Sequence, residues 1–364
     1  MKKIAVFLAD LEGGGAERVM LNIANGFVSK GVEVDLLLVK SKGPYLAKLD
    51  PNIRLISFDT AKLVLSFPKL FKYLKKERPN ILITALEDTN LIAILAHLMA
   101  RVPTRIVVTV HNNLTQESKH LQSLKRRFVP YLIKWFYPFS DWVISVSYGV
   151  AKDLESLGLS KEKIKVIYNP IITPDFIKMA NAIPEHPWFD IVGSPIILGV
   201  GRLDHQKDFE TLIKAYSLLR KKKNSRLMIL GQGSQHKRLL DFCKDLSLSE
   251  DDVTFPGFVD NPFSYMSHAA VCVLSSAWEG FGNVLVESMG AGTPVVSTNC
   301  PSGPAEILEN GKYGALVPVG DAECMAEAIL KTLDNPIQSS ILQRRAKDFR
   351  LEKILDEYQE LLFD

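Results

Sequence analysis

The 364 residues carry 44 Lys and Arg against 41 Asp and Glu, a net charge of +3, and are 47% hydrophobic. A chain this long outgrows one hydrophobic core, so two domains are expected. Its composition excludes a disordered or membrane-spanning chain: the longest apolar run, Leu91 to Ala100, contains His97 and falls short of the roughly 18 residues that a span needs.

Cys243, Cys272, Cys300 and Cys324 lie far apart with no Cys-x-x-Cys pair, which argues against a zinc site or a disulfide scaffold and fits a reducing compartment. Charge is unevenly spread. Residues 1–173 hold 25 basic against 15 acidic side chains, a balance of +10, while residues 174–364 hold 19 against 26, or −7. Such asymmetry points to an anionic partner for the first half, a nucleic acid or a bilayer surface.

Ile4 to Ala9 is a continuous apolar run, the pattern of a parallel strand buried on both faces, and Asp10 and Glu12 end it too early for a signal peptide. Gly13-Gly14-Gly15 follows, then Val19, Leu21, Ile23, Ala24 and Phe27 at helical spacing. Strand, glycine loop and helix together form the anion-cradling entry of an α/β domain, although a tight turn without a ligand reads equally well. A dinucleotide fingerprint is excluded, because Arg18 stands where its third glycine belongs.

Alternation continues through Val32–Val39, Ile53–Phe58, Leu63–Tyr73, Ile81–Ala85, Leu91–Met99 and Ile106–Val110, which predicts a doubly wound parallel sheet. His111 closes the last of these strands, at the end where ligands of open α/β sheets gather. Residues 119–139 then interleave Lys119, Lys125, Arg126, Arg127 and Lys134 with Leu121, Leu124, Phe128, Leu132, Trp135, Phe136 and Tyr137. Rings and cations on one segment suit an anionic membrane surface, and the basic balance of this half favours that reading. The alternative is a helix with its aromatic stripe in the core; no nucleic-acid-binding motif accompanies the segment.

Ile164 to Tyr168 reads as a further strand, and five prolines from Pro170 to Pro195 mark an interdomain connection. The strand pattern restarts at Pro195–Val200 and leads into Gly201-Arg202-Leu203-Asp204-His205-Gln206-Lys207. Arg202 and Lys207 flank a strand exit and a helix entry, where a pyrophosphate would meet a guanidinium, an ammonium and a helix dipole. Leu227–Leu230 runs into Gly231, Val253–Phe255 into Gly257-Phe258, and Val271–Leu274 into the glycine-rich stretch 275–294. There Asn283 is the expected N-cap of a short helix carrying Val284, Leu285 and Met289. Gly280 and Gly282 let the backbone enter that helix with its amides outward. Glu279 and Glu287 border the same loop; on spacing alone they read either as ligand acceptors or as solvated charges at a helix start.

In the context Glu-Gly-Phe-Gly-Asn-Val-Leu-Val-Glu, Glu279 and Glu287 resemble the Glu-x7-Glu signature of the retaining glycosyltransferase family 4, which has the GT-B fold. Gly201 to Lys207 resembles that family's Gly-Arg-Leu-x-x-x-Lys segment, and Pro301 to Glu306 the Pro-Ser-Gly-Pro-x-Glu of a subgroup that builds polysaccharide, lipopolysaccharide core and lipid-linked oligosaccharides. The resemblance implies two Rossmann-like doubly wound domains facing across a cleft: an acceptor side at 1–173, rejoined by a last helix near 349–364, and a nucleotide-sugar side at 174–348.

It implies site roles as well. Gly14, Gly15 and Glu17 would lie near the donor phosphate and the acceptor, and His111 against the transferred sugar. Arg202, Lys207 and the amides from Gly282 through Val284 to Leu285 would hold the diphosphate, and Gly231 and Phe258 would line the base site. Glu279, Gly280 and the amides of Phe281 to Asn283 would grip the sugar, and Glu287 the ribose. UDP-hexose or UDP-N-acetylhexosamine is the expected donor and a lipid-linked glycan the expected acceptor. No cofactor or nucleic acid is expected, and no metal either, since the chain has no Asp-x-Asp to hold one. The implied place is the cytoplasmic face of a membrane. A nucleotide-sugar epimerase, a phosphorylase and a non-catalytic binding protein are the rivals.

Overall fold

The computed structural model describes residues 2–120, 129–190 and 193–363. The chain forms two units, Met1–Pro170 with Leu351–Asp364, and Ile171–Arg350.

The first unit is built on β1 (Lys3–Leu8), β2 (Glu33–Leu38), β3 (Arg54–Ser57), β4 (Ile81–Ala85), β5 (Arg105–Val110), β6 (Trp142–Ser145) and β7 (Ile164–Val166). They pair in the order β3-β2-β1-β4-β5-β6-β7, all parallel. Helices such as Gly15–Ser29 and Glu87–Ala100 make the crossovers that parallel pairing demands. Ile4 to Leu8 and Ile81 to Ala85 are buried without alternation, as strands covered on both faces must be.

Residues far along the chain complete this unit. The helix Leu351–Phe363 packs on Gly15–Ser29, where a Cβ on Gly26 would lie 2.3 Å from Leu355 Cδ1. Phe27 meets Phe363 edge-on at 6.4 Å, and Lys30 pairs with Asp356.

At the amino ends of the strands sits a buried ion cluster. Asp35, fully buried on β2, accepts Arg54 Nε at 2.8 Å and the Tyr73 hydroxyl at 2.6 Å, with Lys3 Nζ 3.0 Å away. Burial alone would raise the Asp35 carboxyl; the bonds from Arg54, Tyr73 and Lys3 outweigh it and hold the group below its ordinary value.

The second unit has β8 (Ile196–Val200), β9 (Arg226–Leu230), β10 (Val253–Gly257), β11 (Val271–Leu274), β12 (Val295–Thr298) and β13 (Ala315–Val317). Their order is β10-β9-β8-β11-β12-β13, again all parallel. Side chains alternate between two cores, as the strand period of two requires. Ile197 joins Leu212, Tyr216 and Met325 on one face, while Ile196 and Leu198 join Phe176 and Met266 on the other.

Several expectations need correction. The run Leu63–Tyr73 is two pieces, a 3-10 turn Leu63–Ser66 and a helix Phe67–Glu77, divided where Pro68 removes an amide donor. β6 and β13 are strands that the sequence pattern does not predict. Of the segment 119–139, residues 121–128 lie outside the described residues. In the remainder Val129, Ile133 and Tyr137 are buried while Tyr131, Trp135 and Phe139 are exposed, so the aromatics divide between core and surface. No described helix is long and apolar enough to cross a membrane.

Candidate active site

Chain order reverses between β8 and β11, which lie side by side, and the loops leaving their carboxyl ends are where an open sheet presents a ligand crevice. The β8 loop is laced to its neighbours by backbone bonds. Gly201 N donates to Leu230 O at 3.0 Å, Leu203 N to Gln232 O at 2.9 Å and Gly231 N to Gly257 O at 2.8 Å. Gly231 has φ +137, and a Cβ there would stand 1.9 Å from Gly201 O, so no other residue fits. Asp204 turns the loop: its Oδ1 accepts Lys207 N at 3.2 Å, and its Oδ2 lies 3.4 Å from Arg202 Nε. The Arg202 side chain is otherwise 73% exposed and available to an anion.

Lys207 turns the other way. Its Nζ meets Glu279 Oε1 at 2.5 Å, with the two side chains only 17% and 8% exposed. Ser276 Oγ donates to the same oxygen at 2.6 Å. Around this contact the β8 and β11 loops clasp each other: Ala277 N donates to Gln206 O at 2.8 Å, Gln206 Nε2 to Trp278 O at 3.0 Å and Ser275 Oγ to Lys207 O at 2.7 Å. Glu279 N donates to Pro301 O at 3.1 Å, which ties in the loop after β12.

Glu279 and Glu287 are 6% and 2% exposed, which disposes of solvated charges at a helix start. The helix is Asn283–Gly290 and its N-cap is Gly282, at φ 99 and ψ 52. Asn283 is therefore the first helical residue and not the cap, because the turn into the helix needs a left-handed residue more than a capping side chain. Gly280, Phe281, Gly282 and Leu285 are buried and Asn283 and Val284 half-buried. Phe281 packs at 5.4 Å on Phe349, so its backbone and not its ring is what the loop offers a ligand. Phe258, at the exit of β10, is 44% exposed.

In the first unit, Gly14 is the N-cap of Gly15–Ser29, and a Cβ there would lie 2.1 Å from Glu17 Oε2, so the glycine makes room for the Glu17 carboxylate folding back over the helix entry. His111 follows β5 and is half-buried. Thr109 Oγ1 lies 3.0 Å from Thr84 O and 2.9 Å from His111 Nε2. Nδ1 is shielded from solvent and without a hydrogen-bond partner among the described residues. Burial pushes the imidazole down to about 4, which keeps it neutral at pH 7.

The structure thus joins Lys207 to Glu279 and leaves Arg202 on the rim of the same loop. Sequence reasoning passed over Asp204, Gln206, Ser275, Ser276 and Thr298. It also missed Leu86, which leaves β4 at φ 72 and ψ 144, a strained backbone for a residue with a side chain, just before the buried Glu87. Among the described residues no group of three His, Cys, Asp or Glu side chains is arranged to hold a metal.

Residues 13–173 match the family described as Glycosyltransferase Family 4, and residues 188–349 the family described as Glycosyl transferases group 1. A Campylobacter jejuni enzyme is 32% identical over 363 residues, covering 95% of this chain and 94% of its own. Its name is N-acetylgalactosamine-N,N'-diacetylbacillosaminyl-diphospho-undecaprenol 4-alpha-N-acetylgalactosaminyltransferase. The lipopolysaccharide core biosynthesis glycosyltransferase LpsE of Rhizobium meliloti is 28% identical, covering 96% of each chain. Among solved structures, HepE of Anabaena in complex with UDP-glucose superposes with a TM-score of 0.83 at 22% identity, covering 100% of this chain and 99% of that one.

Proposed function

The chain belongs to glycosyltransferase family 4, on the GT-B fold, and from that premise we propose that it moves a sugar from a UDP-hexose or UDP-N-acetylhexosamine onto a lipid-linked or lipopolysaccharide-type glycan, with retention of configuration. The observation that carries the reading is the buried Lys207–Glu279 pair at the reversal point of the second sheet. Burying two charges is costly unless each has a task or a partner, and here a charged pair lines the loops where a ligand of this fold is received.

In this reading the departing diphosphate is stabilised by preorganised charge. Arg202 supplies a planar fork, Lys207 directs its remaining N–H donors at the phosphates, and the start of Asn283–Gly290 supplies the helix dipole. These groups would neutralise the departing diphosphate in place of a divalent ion, so turnover in excess EDTA is the expected result. Glu279 accepts hydroxyls of the sugar and Glu287 those of the ribose. His111, neutral at pH 7, faces the transferred sugar, and Gly14 and Gly15, with the Glu17 carboxylate folded beside them, lie near the donor phosphate and the acceptor. Gly231 and Phe258 flank the base.

The relatives' names supply the acceptor class: an undecaprenol-diphosphate glycan for one and lipopolysaccharide core for another. An acceptor embedded in lipid requires the enzyme at a bilayer, and the outward Tyr131, Trp135 and Phe139 beside Lys134 suit an anionic membrane surface on the cytoplasmic side.

The experiment is a panel of UDP-glucose, UDP-galactose, UDP-N-acetylglucosamine and UDP-N-acetylgalactosamine, each offered with undecaprenol-diphosphate-linked glycans and scored for released UDP and for the anomeric configuration of the product. One donor with an α-configured product is expected. Tight binding of a UDP-sugar with no acceptor-dependent release across the panel would refute the transferase reading.

A further inference from the structure

Glu279 is held by more than Lys207. Ser276 is fully buried on the exit of β11, and its Oγ donates to Glu279 Oε1 at 2.6 Å. Its own carbonyl is fastened from the next strand, where Thr298 Oγ1 donates to Ser276 O at 2.6 Å. The preceding residue does the complementary work: Ser275 Oγ donates to Lys207 O at 2.7 Å. Neighbouring residues of an extended chain point to opposite sides. Two successive serines therefore secure the two halves of one ion pair, the first at the lysine backbone and the second at the glutamate side chain.

The geometry has a consequence for the carboxylate. Lys207 Nζ and Ser276 Oγ both address Oε1, and no donor among the described residues reaches Oε2. A carboxylate pinned through one oxygen has its torsion set and its second oxygen aimed. Held by Lys207 alone, at the end of a four-carbon stem, it would keep rotational freedom.

We propose that Ser276 is a positioning residue: it saturates Oε1 of Glu279 together with Lys207, so that Oε2 is the oxygen presented to the transferred sugar. The inference rests on the reading of Glu279 as a sugar-binding acceptor. It adds that discrimination of the sugar, and not capture of the nucleotide, depends on a buried hydroxyl that meets no ligand.

The test compares Ser276→Ala, which removes the hydroxyl, with Ser276→Cys, which keeps the shape but donates weakly. Using whichever of the four UDP-sugars turns over, both variants are expected to lose about tenfold in kcat/KM, the equivalent of about 1.4 kcal/mol. Both should bind UDP within about twofold of the parent, since UDP lacks the sugar. In a Glu279→Gln background, adding Ser276→Ala should change the rate by less than about twofold, because the hydroxyl then has no carboxylate to aim.

Ser276→Cys at the parental rate would overturn the proposal, as would a full tenfold loss in the Gln background. Weakened UDP binding in both variants would make Ser276 a structural residue of the loop and overturn it too. If Glu279→Gln alone leaves the rate unchanged, the role given to Glu279 fails and this inference with it. If Glu279→Gln slows transfer while both Ser276 variants do not, only this inference fails.

Discussion

Removing one member of the Lys207–Glu279 pair is the sharpest perturbation that the fold offers. At 2.5 Å and an effective dielectric near 20, the attraction is about 7 kcal/mol before desolvation is counted. Most of that offsets the cost of taking both groups out of water, so the pair as a whole contributes little. Truncating one partner is different, because the other keeps its desolvation cost. For Lys207→Ala the range is about 3–5 kcal/mol, and Ser276, still donating to Glu279, places the expectation near the lower end. In a unit of 150–250 residues each kcal/mol moves Tm by about 2–4 °C, so a fall of about 6–12 °C is expected. Glu279→Gln should cost less, about 1–2 kcal/mol, because a long ammonium stem can swing toward water. The double variant Lys207→Ala with Glu279→Gln leaves no unmatched charge and should lose only about 2 kcal/mol. The assay is thermal unfolding of the UDP-free protein, with transfer measured well below the lowest Tm. Losses that add within about 0.5 kcal/mol would mean that the two groups do not depend on each other and would refute the reasoning.

Four further outcomes follow from the same reading of the chain. Asp35→Ala removes the buried acceptor shared by Arg54, Lys3 and Tyr73, although Glu77 still pairs with Arg54 and Lys3, and should cost about 3 kcal/mol while leaving the low-temperature transfer rate unchanged, since the cluster lies at the amino ends of the strands; denaturant unfolding with a parallel rate measurement checks both. The Asp35 carboxyl is depressed, so its contribution is present above the unfolded value near 3.9 and is lost as pH falls through the folded value; a parent whose acid unfolding midpoint matches that of Asp35→Ala would count against this. His111, lowered from 6.5 to about 4, binds its proton less readily when folded, so it contributes nothing adverse above pH 6.5 and destabilises progressively as pH drops toward 4; an NMR titration placing the ring above 6 would contradict the buried, neutral assignment. Tyr131→Ala with Trp135→Ala should abolish most co-sedimentation with phosphatidylglycerol vesicles but not turnover of a water-soluble acceptor; unchanged sedimentation would remove these rings from the membrane surface.

Much of the fold is legible where burial is complete and its edges are sharp. Ile81–Ala85 and Val271–Leu274 begin and end at the residues where the apolar runs do, because every side chain in them is covered. Trp142–Ser145 and Ala315–Val317 are not legible, because their strand character comes from pairing with β5 and β12 rather than from a fully covered apolar run. Asn283 misleads for a related reason. Residue preference names it as the cap, but the backbone needs a positive φ one residue earlier, which Gly282 supplies. At the site, the residue types point to Lys207 and Glu279 separately, and nothing in a linear pattern says that positions 72 apart are partners. Ser276 is harder still, since a serine leaving a strand looks like any other until Oε1 is found 2.6 Å away. Tyr137 sits in an amphipathic stretch yet is core, because Asn90 Nδ2 donates to its hydroxyl at 2.9 Å in the interior.

The helix Leu351–Phe363, seated against Gly26 and Phe27, sets a schedule for synthesis. A ribosome has to deliver the whole of Ile171–Arg350 before the piece that closes the earlier unit leaves the exit tunnel. The apolar strip of Gly15–Ser29 meanwhile faces water or a chaperone, and the later half is free to fold first. A frameshift just after Arg350 would therefore harm the residues made earliest, leaving the most recently made unit with its core intact.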